Sequence, residues 1–131
     1  MPAHLTPEWF DRRLALLGAV DAGTGAEAVV CHVATGGPDG EARWTETFAG
    51  GRLVANGPAA AGSPEPTHTV TVGWADGRAI ALGQLDANAA YVAGTTKVVG
   101  PSGPWFAVLA LLGSPAGVEA VAALAADTDP A

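Results

Sequence analysis

Cysteine and basic residues are scarce in these 131 residues, and no apolar run reaches the length of a membrane span. The single cysteine, Cys31, cannot form an intramolecular disulfide, so the expected setting is reduced and cytoplasmic. Six basic residues stand against thirteen acidic ones, a net charge of −7. A phosphate backbone or an anionic lipid surface repels such a chain on approach, and no basic stripe offsets the balance; no nucleic-acid partner is expected. The opening MPAHLTPEWFDRRLALLG carries charges where a signal peptide needs an uninterrupted apolar run. From Pro104 to Ala126 the only charge is Glu119, but Gly113-Ser114-Pro115 divides that run into pieces too short for a span of about 20 residues. No transmembrane segment is expected, and two short buried helices are.

What remains has the length of one domain, 1–131, with 127–131 expected to fray. Thr6-Pro7-Glu8 starts a helix that runs to about Asp21: a hydroxyl cap, a proline at the first turn and a carboxylate at the positive end of the dipole. Its apolar face carries Phe10, Leu14 and Leu17, which leaves Asp11, Arg12 and Arg13 largely toward water. Strands are expected near 26–35, 41–49 and 51–57, the first two as a hairpin around GGPDG, followed by a Pro- and Gly-rich loop over 58–66. THTVTVGW, residues 67–74, alternates cleanly, with Val70, Val72 and Trp74 on one side. Two short helical segments, a strand at 95–99 and helices at about 104–112 and 115–126 complete the chain. That order predicts an α+β domain: one five-stranded, mostly antiparallel sheet with helices over one face.

Three stretches carry a resemblance. ARWTETFAGGRLVANG and THTVTVGW read as sheet, and GQLDANAAYVAGTTKVVGP places Leu85-Asp86, Ala89-Ala90-Tyr91, Gly94, Lys97-Val98 and Gly100 at set intervals before an apolar helix. In these the chain resembles the sterol carrier protein type-2 family of lipid-binding domains. Thr95 stands where that family commonly has lysine or arginine, and Pro101 where it commonly has aspartate. The resemblance implies a five-stranded sheet roofed by helices around an apolar tunnel for sterols, fatty acids or acyl-CoA, without catalysis; no cofactor is expected.

The residues themselves point the same way. The helix bearing Trp105, Phe106, Val108, Leu109, Leu111 and Leu112 is apolar on every side, yet a small sheet can cover only one. Its other face meets the last helix, a second copy of the chain, or an apolar ligand. If a ligand is there, Leu85, Tyr91, Val98, Trp105, Phe106, Leu109 and Leu112 are the expected contacts. Tyr91 is then the polar anchor, and Trp105 and Phe106 stand at the mouth.

Candidates for chemistry are few. His4, His32 and His68 lack metal-site spacing, so no metal is expected, and Cys31 in a Val-rich strand reads as a small buried hydrophobe. Neither GGPDG, GPSGP nor GTTK has the frame of a nucleotide-binding loop. Glu46 shares a strand face with Trp44 and Phe48. Turned inward it would be a carboxylate in apolar surroundings with a raised pKa; the simpler expectation leaves that face partly wet. The function expected is a non-catalytic binding or carrier module for a hydrophobic small molecule. The alternatives are a small isomerase or cyclase using Glu46 or His32, and a homodimerising module.

Overall fold

The computed structural model describes residues 3–59 and 63–129. Helix α1 (Pro7–Gly18) leads into a meander of β1 (Ala28–Gly37), β2 (Gly40–Ala49) and β3 (Arg52–Pro58). Then follow β4 (His68–Gly73), α2 (Trp74–Ala81), α3 (Ala87–Val92), β5 (Lys97–Val99), α4 (Ser102–Gly113) and α5 (Pro115–Ala126). The five strands form one sheet in the order β3-β2-β1-β4-β5. Three of its pairings are antiparallel, and β1 and β4 run parallel, joined through the meander and the loop that returns the chain to the middle of the sheet.

Period-two alternation sorts the side chains onto two faces. Ala28, Val30 and Ala34 of β1 lie in register with Phe48, Glu46 and Ala42 of β2, and on the other side Val30 and Ala34 pair with His68 and Val72 of β4. Every sheet residue in the two hydrophobic clusters belongs to this face. One cluster joins Val30, Phe48, Leu53 and Val70 to Leu17, Val108, Leu109 and Leu111; the other joins Ala34 and Trp44 to Trp9, Phe10, Ala81 and Leu124. The opposite face carries a half-buried set of threonines, Thr45, Thr47, Thr69 and Thr71, with Cys31 and Val33 buried in the central strand.

Caps fix the helix starts. Thr6 accepts from the Trp9 amide and Asp86 from the Ala89 amide. Ser114 closes one helix and opens the next: its hydroxyl donates to the Leu111 carbonyl at 2.7 Å and accepts from the Gly117 amide at 3.0 Å. The resulting bend between α4 and α5 is 67°, and among the described residues no single helix is long and apolar enough to cross a membrane. Gly117 makes the bend possible, because a Cβ there would collide with the carbonyl oxygens of Leu111 and Leu112. Gly117→Ala is expected to lower stability by about 1–3 kcal/mol through overpacking, read as a drop in the denaturation midpoint.

Three local expectations change. Helix α1 stops at Gly18, short of Asp21, where Ala19 ends the helical hydrogen bonding. Trp74 leaves the strand and opens α2 instead, following the extended Gly73 that serves as its cap. Of the expected frayed tail, residues 127–129 are tied down: Thr128 is buried and donates to the Leu124 carbonyl, and Asp129 bridges to Ala3 and accepts from Arg78. Residues 130 and 131 lie outside the described residues, as do positions 60–62 of the loop.

Candidate functional site

The central feature is a carboxylate inside the fold. Strand β2 turns Trp44, Glu46 and Phe48 inward, so the expectation of a wet face is wrong; the Glu46 side chain is only 2% exposed. Arg13 on α1 reaches it with two bonds, Nε to Oε2 at 2.6 Å and Nη2 to Oε1 at 3.2 Å. His32 on β1 brings Nε2 within 3.0 Å of Oε1. Arg13, read from its charge as solvent-facing, is 11% exposed. Its spacing held the signal: residues 10, 13 and 17 recur at helical intervals, so Arg13 lies on the stripe of Phe10 and Leu17.

Burial is the largest influence on Glu46 and pushes its pKa upward, but the Arg13 charge and the His32 hydrogen bond together outweigh it. The carboxyl is held well below the usual carboxylate range. The upward shift expected of an inward-facing Glu46 is therefore reversed by two partners that lie far away in the chain.

Rings continue this polar wall. His32 and Trp44, paired across β1 and β2, stack at 5.0 Å with 11° between their planes. The Arg13 guanidinium lies 5.6 Å above the Trp9 ring, and His4 meets Trp9 edge to face at 4.8 Å. Burial, with the charges of Arg78 and Arg13 adding to it, lowers the His4 pKa to about 4. His4 thus stays neutral in the folded protein over a range where the unfolded chain, at about pH 6.5 and below, takes up a proton. The unfolded state binds more protons there, so stability falls as pH drops from about 6.5 to about 4. Denaturant midpoints across that window are expected to fall less for His4→Gln than for the unmodified chain.

Between this wall and the helices lies a cavity of about 320 Å³. Val70 and Val72 form part of its floor, Ile80 and Leu85 come from α2 and the turn after it, Trp105, Leu109 and Leu112 from α4, and Val118 and Val121 from α5. Of the seven contacts expected from sequence, Leu85, Trp105, Leu109 and Leu112 lie on this wall. Tyr91 and Val98 pack against the main cluster from outside it, Tyr91 with its ring 6.3 Å from Trp105. Phe106 is 51% exposed and 6.0 Å from Tyr91. Among the wall residues that sequence reasoning missed are Trp9, Arg13, Trp44, His4 and Val72, besides Val70, Ile80, Val118 and Val121.

The other candidates have structural partners. His68 is buried, with Nε2 donating to the Pro101 carbonyl at 2.7 Å, and so ties β4 to the start of α4. Cys31 is buried on the face of the sheet away from the cavity. Among the described residues, no group of three His, Cys, Asp or Glu side chains could hold a metal ion.

This fold, a mixed sheet with helices packed over one face, recurs in solved structures. A conserved hypothetical protein of Thermus thermophilus, described as possibly a sterol carrier protein, superposes with a TM-score of 0.71 over 97% of this chain and 92% of its own, at 15% identity. A crystal structure of sterol carrier protein 2 gives 0.66 over 96% and 99% of the two chains, at 14% identity. The chain has the sterol carrier protein 2-like fold. Palmitated SCP2L2 of Aedes aegypti shares that sterol carrier protein fold with a TM-score of 0.60 over 81% of this chain and 92% of its own, at 22% identity. No family model and no curated protein matches the sequence.

Proposed function

We propose that this chain is a non-catalytic binding or carrier module for a hydrophobic small molecule, held in the cavity beneath α4 and α5. The observation that carries the reading is the cavity itself. Its about 320 Å³ falls at the small end of the range of small-molecule pockets, about 300–1,000 Å³. Its walls are mainly apolar, with polar groups contributed both by Arg13, His32 and Glu46 and by Gln84, Asn88 and Thr96. Leu85, Trp105, Leu109 and Leu112 are the proposed contacts, with Tyr91 and Val98 supporting them from behind and Phe106 outside. The palmitated state of the Aedes aegypti protein supports the reading, since it names an apolar guest in the same fold.

Glu46 is a poor acid for an isomerase or cyclase. Arg13 and His32 engage both of its oxygens, and the ion pair keeps it deprotonated near neutral pH. Native mass spectrometry of protein purified without detergent tests the proposal. A discrete added mass that organic extraction removes is the expected result; protein that carries no adduct and takes up none from offered lipids would count against it.

A further inference from the structure

We infer that the guest of this cavity carries an uncharged hydrogen-bond donor, an alcohol or phenol hydroxyl on an apolar body, and donates it to Nδ1 of His32. The inference rests on the ligand-binding reading above and names the polar group its guest must bear.

At His32 the polar network of the interior meets the cavity. The residue points inward from β1, in register with Trp44 of β2 and Val70 of β4, and lines the cavity. Its Nε2 lies 3.0 Å from Glu46 Oε1, while Arg13 donates to both oxygens of the same carboxylate. An ionised carboxylate only accepts, so the shared hydrogen belongs to Nε2 of His32. In the neutral imidazole the other nitrogen is then a lone pair, an acceptor. Glu46 thus sets the tautomer of His32, and Arg13 sets the charge of Glu46.

That acceptor is within reach of a guest. Among the described residues Nδ1 of His32 has no hydrogen-bond partner, and it is not one of the five unpartnered side-chain atoms sealed inside the protein. The His32 side chain keeps 18% of its area exposed, and on an inward-facing wall residue that exposure opens onto the cavity. His68 shows the contrast: Nδ1 meets the Thr67 hydroxyl and Nε2 the Pro101 carbonyl, both at 2.7 Å, so that ring is spent within the fold. The His32 ring is also held in place. Trp44 stacks on it at 5.0 Å with 11° between the planes, and turning the ring would break the bond to Glu46.

The chemistry of the lone pair decides which group fits. A hydrocarbon or an ether would cover it and give it no proton, leaving an acceptor buried without a partner. A carboxylate, ionised near neutral pH, also brings only acceptors, and the one cation beside it, Arg13, is already paired with Glu46. A hydroxyl supplies the missing hydrogen with no charge to desolvate.

The test is calorimetric titration with 4-hexylphenol, 4-hexylanisole and 4-hexylbenzoate, which share one apolar body. The phenol is expected to bind roughly three- to tenfold more tightly than the anisole, although the anisole is the more apolar, and the benzoate no more tightly than the anisole. His32→Phe keeps a ring and removes the acceptor, so it should erase the advantage of the phenol and leave anisole affinity within roughly twofold. A long-range ¹H–¹⁵N spectrum of the wild-type imidazole in mildly alkaline buffer reads the same nitrogen without a substitution, and decides the matter if the variant does not fold. It should show a proton on Nε2 and none on Nδ1 in the free protein, with the Nδ1 signal moving on addition of the phenol and not of the anisole. A proton on Nδ1 in the free protein, an Nδ1 signal that bound phenol leaves in place, equal affinities of phenol and anisole, or a phenol preference that survives in His32→Phe overturns the inference and leaves the hydrophobic-ligand reading standing. Failure of all three compounds to bind takes down both.

Discussion

Replacing Arg13 by leucine should lower the free energy of unfolding by about 3–5 kcal/mol, because it strands the Glu46 carboxylate in the interior. The wild-type pair is bidentate, and the two side chains are 11% and 2% exposed, so screening by solvent is slight. His32 remains as a hydrogen-bond partner but does not replace a permanent charge. Glu46 in the variant then sits in apolar surroundings with its pKa raised above the unfolded value. A group shifted in that direction contributes stability that is lost as pH rises, so the deficit of the variant should shrink on acidification toward pH values of about 5. In Arg13→Leu combined with Glu46→Leu, no charge is left to bury, and most of the loss should be recovered. Urea denaturation of the three proteins at two pH values measures this. A single variant within about 1 kcal/mol of wild type would mean that the ion pair does not anchor α1 to β2.

Leu109→Trp is expected to abolish uptake of an apolar probe while the domain stays folded. Leu109 is buried on α4 and belongs to the cavity wall, so the larger indole has space to enter. A drop in affinity of at least roughly tenfold, with the melting temperature changed by only a few degrees, is the outcome that follows if that volume is available to a guest. Were the interior solid at this point, the substitution would overpack it and cost about 1–3 kcal/mol. The paired readout therefore separates a cavity used for binding from a core.

What could be read from the sequence was local. The alternation of Val70 and Val72, the cap residues Thr6, Asp86 and Ser114, and the Gly113-Ser114-Pro115 break each act within a few residues, and they place the elements close to where they occur. The parallel pairing of β1 with β4 has no local signal, because Val30 meets His68 only after the meander is complete. The apolar half of the cavity was legible for a similar reason: an uncharged α4 needs cover on more than one side. Its polar half was not. Arg13 and Glu46 are 33 residues apart, and each, taken by residue type alone, belongs in water. Only their mutual neutralisation permits burial, and that is a property of the pair. Trp74 shows the opposite limit, since strand alternation continued through it while the chain had already turned into α2.

The central claim is that the space beneath α4 and α5 receives a hydrophobic small molecule. Titration of uncharged N-phenyl-1-naphthylamine into wild-type protein and Leu109→Trp, followed by probe emission, tests it most directly. The account predicts a saturable, one-to-one rise with the wild type and none with the variant. A wild type that gives no saturable rise, or a variant that binds the probe equally well, would contradict it.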